Sequence, residues 1–264
     1  MQQTTPAHDA AAHTPAWRGF GQRADLDLDF SEPDRPALVS ALLAACGAQA
    51  GEAGGPWGLT LAERIAALAS IVAQTEGGDS IALSLRCPHC GEALELAVPS
   101  AVLLHEAQRS QAEPHIDVAL DATRSLRLRR PTGADQRAWR AKAYGGEEEA
   151  AAVILRSLVV SAGADPAGLA ASDLQQVSDA MEAFDPLASF QVSTICPGCG
   201  ADPTLAVDLE ATLLMRLRAC HSALLVQVHR LATAYGWTEE QVLSIPAHRR
   251  EQYLLLVERE ATKR

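Results

Sequence analysis

Nowhere in the 264 residues does an apolar run approach the roughly 20 that a helix needs to cross a bilayer. The opening stretch, MQQTTPAHDAAAHTPAWRGFGQR, lacks a positively charged start followed by an apolar core. Neither a membrane protein nor a secreted one is expected, and the expected compartment is the cytoplasm. Positive charge is scarce. Against 33 acidic residues stand 22 basic ones, a formal net charge of -11, which disfavours non-specific attraction to nucleic acid or anionic lipid. Lysine is almost missing, Lys142 and Lys263 being the only two; together with the abundance of alanine this reads as coding bias. No glycine-rich phosphate loop, nucleophile elbow or Ser/His/Asp order is found. The chain is therefore expected to be no enzyme and to have no small-molecule substrate.

What is present is a composition 48% hydrophobic, in a length that suffices for one large or two small cores. Six cysteines without an export signal argue for metal or redox use of those paired in sequence. Cys46 and Cys220 lie in apolar helical patterns, where free cysteine behaves as a small hydrophobe, and belong in the core. The other four make two copies of one turn, RCPHCGEALEL at 86–96 and ICPGCGADPTL at 195–205.

Residues 1–30 read as a mobile tail, in which the alternation of RADLDLDF resembles a short edge strand or a docking peptide. Helices follow over 31–78. They include one from Arg35 to Cys46 and one opened by the Thr60/Glu63 capping box and closed at Gly77 and Gly78. Segments 79–100 and 188–208 read as two β-hairpins with a cysteine knuckle at each tip. Ile81, Leu83 and Leu85 alternate before the first turn and Leu94, Leu96 and Val98 after it; Phe190, Val192 and Thr194 precede the second, Leu205 and Val207 follow. Between them, 101–187 is an inserted domain: two strands in HIDVALDATRSLRLRRPTGADQ, a helix capped by Thr132, then helices over EEEAAAVILRSLVVSAG and SDLQQVSDAMEAFDP. The C-terminal segment, 209–264, holds a long helix from Leu209 to Tyr235 and two shorter ones. The predicted fold class is α+β, mainly helical: a split four-cysteine zinc ribbon, made of the two hairpin knuckles, interrupted by a β-hairpin and helices.

A structural zinc ion takes four soft ligands in a tetrahedron, and two Cys-x-x-Cys knuckles supply them, here Cys87, Cys90, Cys196 and Cys199. Pro88 and Pro197 stiffen the turns. Gly91 and Gly200 follow where a positive φ is expected and where backbone N–H groups can turn toward the thiolates. Closing about 105 intervening residues costs on the order of 4 kcal/mol plus a constant, and structural zinc returns about 10 to 16 kcal/mol. Iron fits the same thiolates. A thioredoxin-like thiol pair is the redox alternative, although that motif runs from strand into helix and both copies here run into strand patterns. An all-cysteine site keeps no open position, so the metal is expected to be structural.

Other candidates carry blander readings. His89 lies inside the first knuckle and is expected at the surface. His221 and His229 share a helix face without a carboxylate partner. Glu147, Glu148 and Glu149 suit a helix N-terminus. The cluster Arg124, Arg127, Arg129 and Arg130 is the one local basic patch; it supports the alternative function, a zinc-ribbon regulator that binds nucleic acid through this strand.

Taken together, the two knuckles around a helical insert, the LRLRRPTGADQ join and above all HRLATAYGWTEEQVLSIPAHRREQYLLLVERE resemble the T4-type baseplate hub assembly chaperone family of contractile tails and injection systems. The likeness spans about residues 35–260. It is most specific at Tyr235, Gly236, Trp237, Ile245, Arg249, Arg250, Tyr253 and Leu254. The resemblance implies a non-enzymatic chaperone or structural component that binds baseplate or tail-hub proteins and is carried into the assembled particle or released from it. Some family members lack the cysteines, so zinc is argued from this chain alone. Trp237, Tyr253, Arg249 and Arg250 are the candidate partner contacts, with internal packing of the two aromatics as the competing role. No membrane contact is expected.

Overall fold

The computed structural model describes residues 17–47, 55–162 and 168–262. Helix α1 (Arg35–Cys46) opens on Asp34, whose carboxylate accepts the Ala37 amide. A single turn, α2 (Gly55–Gly58), leads to α3 (Leu61–Glu76). The expected capping box of Thr60 and Glu63 forms at its start, and Gly77 ends it in the left-handed conformation, φ 71°. Strands β1 (Ser80–Arg86) and β2 (Ala93–Pro99) pair antiparallel, setting Ile81 against Val98, Leu83 against Leu96 and Leu85 against Leu94, so both alternating triplets share one face.

The insert runs through α4 (Ser100–Ala112), β3 (His115–Ala119), β4 (Ser125–Arg129), α5 (Gly133–Arg140), α6 (Glu147–Leu158), β5 (Val159–Ala162) and α7 (Ala171–Phe184). The second hairpin, β6 (Gln191–Ser193) and β7 (Thr204–Ala206), precedes α8 (Leu209–Tyr235), α9 (Glu239–Ser244) and α10 (Ala247–Ala261). The fold is α+β and mainly helical, with three small antiparallel sheets; among the described residues the two hairpins remain separate sheets. No described helix is long and apolar enough to cross a membrane.

The main core lies between α1, α3, α8 and the first hairpin. Helix α3 is its centre: Ile65, Leu68, Ile71 and Val72 are buried together with four alanines whose small side chains let neighbours approach. A second cluster belongs to the insert, where Val118, Leu126 and Leu128 of the sheet meet Leu155, Leu158 and Val177 of α6 and α7. The lobe is also tied to the body by backbone. Thr60 and Thr132 form an isolated bridge, in which the Leu61 amide donates to the Pro131 carbonyl and the Gly133 amide to the Leu59 carbonyl, both at 3.1 Å.

The structure departs from the sequence expectations at four points. Residues 17–30 of the expected tail are folded; residues 1–16 lie outside the described residues. RADLDLDF forms no strand: Arg23–Asp25 is a turn of 3-10 helix, and Asp25 is wholly buried. Acidic side chains compete for nearby amides and so favour turns over strands. Leu26, Leu28 and Phe30 then pack on the main core. Helix α4 went unread because its buried stripe, Leu103, Ala107 and Ser110, contains one large apolar residue. Finally, the helix over EEEAAAVILRSLVVSAG stops at Leu158. Val159–Ala162 becomes β5 and pairs with β4, because β-branched residues suit a strand and the free edge of β4 needs a partner.

Candidate metal centre

Each cysteine turn grows from the end of a strand. After β1, the Cys87 amide donates to the Glu92 carbonyl at 2.9 Å and the Gly91 amide returns to the Cys87 carbonyl at 2.9 Å. After β6 the same ring recurs, Cys196 amide to Ala201 carbonyl at 2.8 Å and Gly200 amide to Cys196 carbonyl at 2.9 Å. Closing this loop requires left-handed backbone at its glycine, and Gly91 and Gly200 have φ of 76° and 72°. The position after each glycine therefore has a structural role through its backbone carbonyl; the repeated register of the two motifs is the signal that marks it.

The two turns meet although more than a hundred residues separate them. Cys87 Sγ lies 3.8 Å from Cys199 Sγ and Cys90 Sγ 3.6 Å from Cys196 Sγ, and all four sulfurs fall within 4.8 Å of one another. A regular tetrahedron with metal–sulfur arms of about 2.3 Å has edges of about 3.8 Å, so the donor set fits one tetrahedral ion. Cys87 and Cys196 are buried, and with Leu94 they form a small core between the hairpins, flanked by Leu85 and Leu205. Cys90 and Cys199 face outward. A side chain at Gly198 would press on Glu92 of the opposite turn, its Cβ meeting Cγ at 3.3 Å.

Electrostatics agree with a cation here. Burial pushes the Cys87 thiol up, but the His89 and Cys90 amides donate to its sulfur and, with the neighbouring thiols, bring it down to about 6. Cys90 receives the Glu92 amide yet is pushed up to about 12 as Cys196, Cys199 and Cys87 crowd it; Cys199, which receives the Ala201 amide, is also raised. Four thiolates at this spacing repel one another, and a divalent ion is what lets all four ionise together.

No family model, curated protein or solved structure matches the chain.

The remaining sequence candidates fall outside this centre. His89 is exposed, as expected. Neither knuckle runs into a helix: β2 and β7 follow them, unlike a thioredoxin-type pair. Cys46 is fully buried, and burial pushes its thiol up to about 11. His221 packs between Phe20, which it meets edge-on, and Phe30, to which it is tilted, with Nε2 3.3 Å from the Leu26 carbonyl. His229 is exposed.

The basic strand is spoken for. Arg124 pairs with Asp121 and Asp173, Arg127 with Asp117 across the β3–β4 ladder, and Arg129 with Asp135 of α5. Arg130 turns inward, donating to the Glu113 and Phe184 carbonyls and lying over the Phe184 ring. Four guanidiniums that already face carboxylates or carbonyls make a poor phosphate-binding strip.

At the C-terminus, Tyr235 stacks on Trp237 at 4.5 Å between centroids, and Tyr253 meets Trp237 edge-on at 5.2 Å, locking α10 to the end of α8. Trp237 and Tyr253 are half-buried, and Arg249 is exposed. Arg250 corrects the expectation of a partner contact. It is buried, and its Nη1 donates to the Ile245 carbonyl at 2.9 Å, which fixes the α9–α10 corner.

Proposed function

We propose that the protein is a non-enzymatic scaffold clamped by a structural zinc ion at Cys87, Cys90, Cys196 and Cys199. In this reading it serves in the cytoplasm as an assembly chaperone or structural component of the baseplate of a contractile tail or injection system, binding other baseplate proteins. The observation that carries the clamp is the convergence of two identical turns, one on either side of the insert, on a sulfur tetrahedron of metal-binding size. Zinc is favoured among thiolate-binding metals because a closed, tetrahedral all-cysteine site is one of its established structural settings. When bound, the ion would neutralise the thiolates and join the two hairpins. The zinc ribbon of this reading is two hairpins joined through metal and a few apolar side chains, without a shared ladder.

The baseplate role is supported by the sequence likeness of the C-terminal helices and by a surface that offers a binding protein's features. Leu225 and Val226 of α8 and Leu255 and Leu256 of α10 are exposed apolar side chains. Two measurements test the proposal. Protein purified without chelator is expected to carry about one zinc per chain by elemental analysis, and a markedly lower content or iron in its place overturns the zinc clamp. Tagged protein co-expressed with the neighbouring tail genes is expected to recover a baseplate protein; recovery of none overturns the assembly role.

A further inference from the structure

Helix α10 buries only one of its faces. Tyr253 and Leu254 pack on the cluster of Val228, Leu231 and Val242, and Glu258 bridges to Arg230 of α8 at 2.9 Å. Away from this seam, at helical spacing, run Glu251, Leu255 and Arg259, all exposed. Leu255 keeps 53% of its surface in solvent and its neighbour Leu256 keeps 47%, a pair of adjacent leucines on a face that nothing covers. Among the described residues neither Glu251 nor Arg259 has an ion-pair partner, whereas Glu258 on the same helix is matched.

The order of these residues is self-complementary. Glu251 and Arg259 stand four positions before and after Leu255, about 6 Å along the helix axis in each direction. When a second α10 lies antiparallel with a two-fold axis at Leu255, each Glu251 comes level with the partner's Arg259, and Leu255 meets the partner's Leu255. Helix axes about 8 to 10 Å apart bring both charge pairs within reach. Gln252 then falls opposite the partner's Glu258 and His248 opposite the partner's Thr262, so no like charges meet. A parallel arrangement fails this test, because it sets Glu251 beside the partner's Glu251 and Arg259 beside the partner's Arg259.

We infer that α10 is a contact between two copies of this chain, which associate antiparallel through Leu255 and are oriented by reciprocal Glu251–Arg259 pairs. The leucines supply the attraction and the charges set the register, since exposed ion pairs add little by themselves. One helix face per chain is small beside the roughly 800 Å² per partner of a standard interface, so the dimer is weak and concentration-dependent. The pairing draws on α10 alone and does not rest on the baseplate reading.

Sedimentation equilibrium of the full chain, purified without chelator, tests this between about 5 and 500 μM. The average mass is expected to rise from one chain toward two and no further, and Leu255→Glu is expected to stay at one chain throughout. Glu251→Arg and Arg259→Glu each set like charges together and are expected to weaken association about tenfold. The double variant Glu251→Arg/Arg259→Glu restores the match and is expected to return to within about threefold of the parent. All three positions are exposed, so these substitutions leave the core intact. The proposal is overturned if the parent stays monomeric at about 500 μM, which assigns the face to a different protein, or if its mass climbs past two chains. It is equally overturned if Leu255→Glu associates like the parent, or if the double variant remains as weak as the single ones.

Discussion

Burying a carboxylate in a protein of net charge -11 demands dedicated donors, and Asp25 has four. Arg18 reaches it with both Nη atoms at 2.8 and 2.6 Å, and the amides of Gly21 and Gln22 donate at 2.7 and 2.8 Å. Burial alone would raise this carboxyl; Arg18 and the two amides outweigh it and hold the group below its ordinary 3.8. The sign of the linkage follows. A depressed folded value means the unfolded chain binds the proton more tightly, so the stabilisation is complete above about pH 4 and lost as pH falls through the folded value. Asp185 contrasts with it. Arg130 stands 3.8 Å away and burial lifts the carboxyl, so its contribution runs in the opposite direction. Urea unfolding between about pH 5 and pH 2.5 is therefore expected to show a less steep acid loss of stability in Asp25→Asn than in the parent. Equal slopes would remove the assignment.

Between elements, α3 meets α5 through a close fit of Arg64 against Gly133. Arg64, fully buried, donates from Nη1 to Ser40 Oγ and the Pro56 carbonyl and from Nη2 to the Pro36 carbonyl. Its guanidinium rests against Gly133, the first residue of α5, where an added Cβ would meet Cζ at 2.6 Å. Because three acceptors hold the arginine, it cannot swing away. Gly133→Ala is expected to cost about 1 to 3 kcal/mol, the range for overpacking a filled site. Thermal melts alongside Gly168→Ala, which has open space around it, check this; equal melting temperatures for the two variants would show that Arg64 yields.

Over the whole molecule, the four clustered cysteines bring the two ends of the insert together, and under the proposed zinc clamp they act as one unit. Cys87→Ser and Cys196→Ser are expected to lose the metal to the same degree, and the double variant to melt no lower than either single one, since partners in one site are strongly non-additive. Excess chelator is expected to bring the parent down to the same melting temperature. Additive losses in the double variant would mean that the knuckles act separately. Removal of Arg124, Arg127 or Arg129 would instead disturb the lobe locally, because their ion pairs lie within it.

Local chemistry was readable from the chain itself. The capping box at Thr60, the cap at Thr132, the glycine stops at Gly77 and Gly236, the full extent of α8, both hairpins and the positive φ of Gly91 and Gly200 depend on residues no more than a few positions apart. The clustering cysteines were readable for the same reason, since each Cys-x-x-Cys pair is a complete short motif. What the chain did not disclose depends on partners far along it. Arg35 meets Asp208 across 173 positions, Arg130 is drawn inside by Phe184 across 54, and β5 exists because β4 offers an open edge. Asp25 leaves its apparent strand because Arg18, itself bonded to the Ala45 carbonyl, is placed to receive it. Side-chain periodicity records which face is buried; only the folded chain decides which charge meets which.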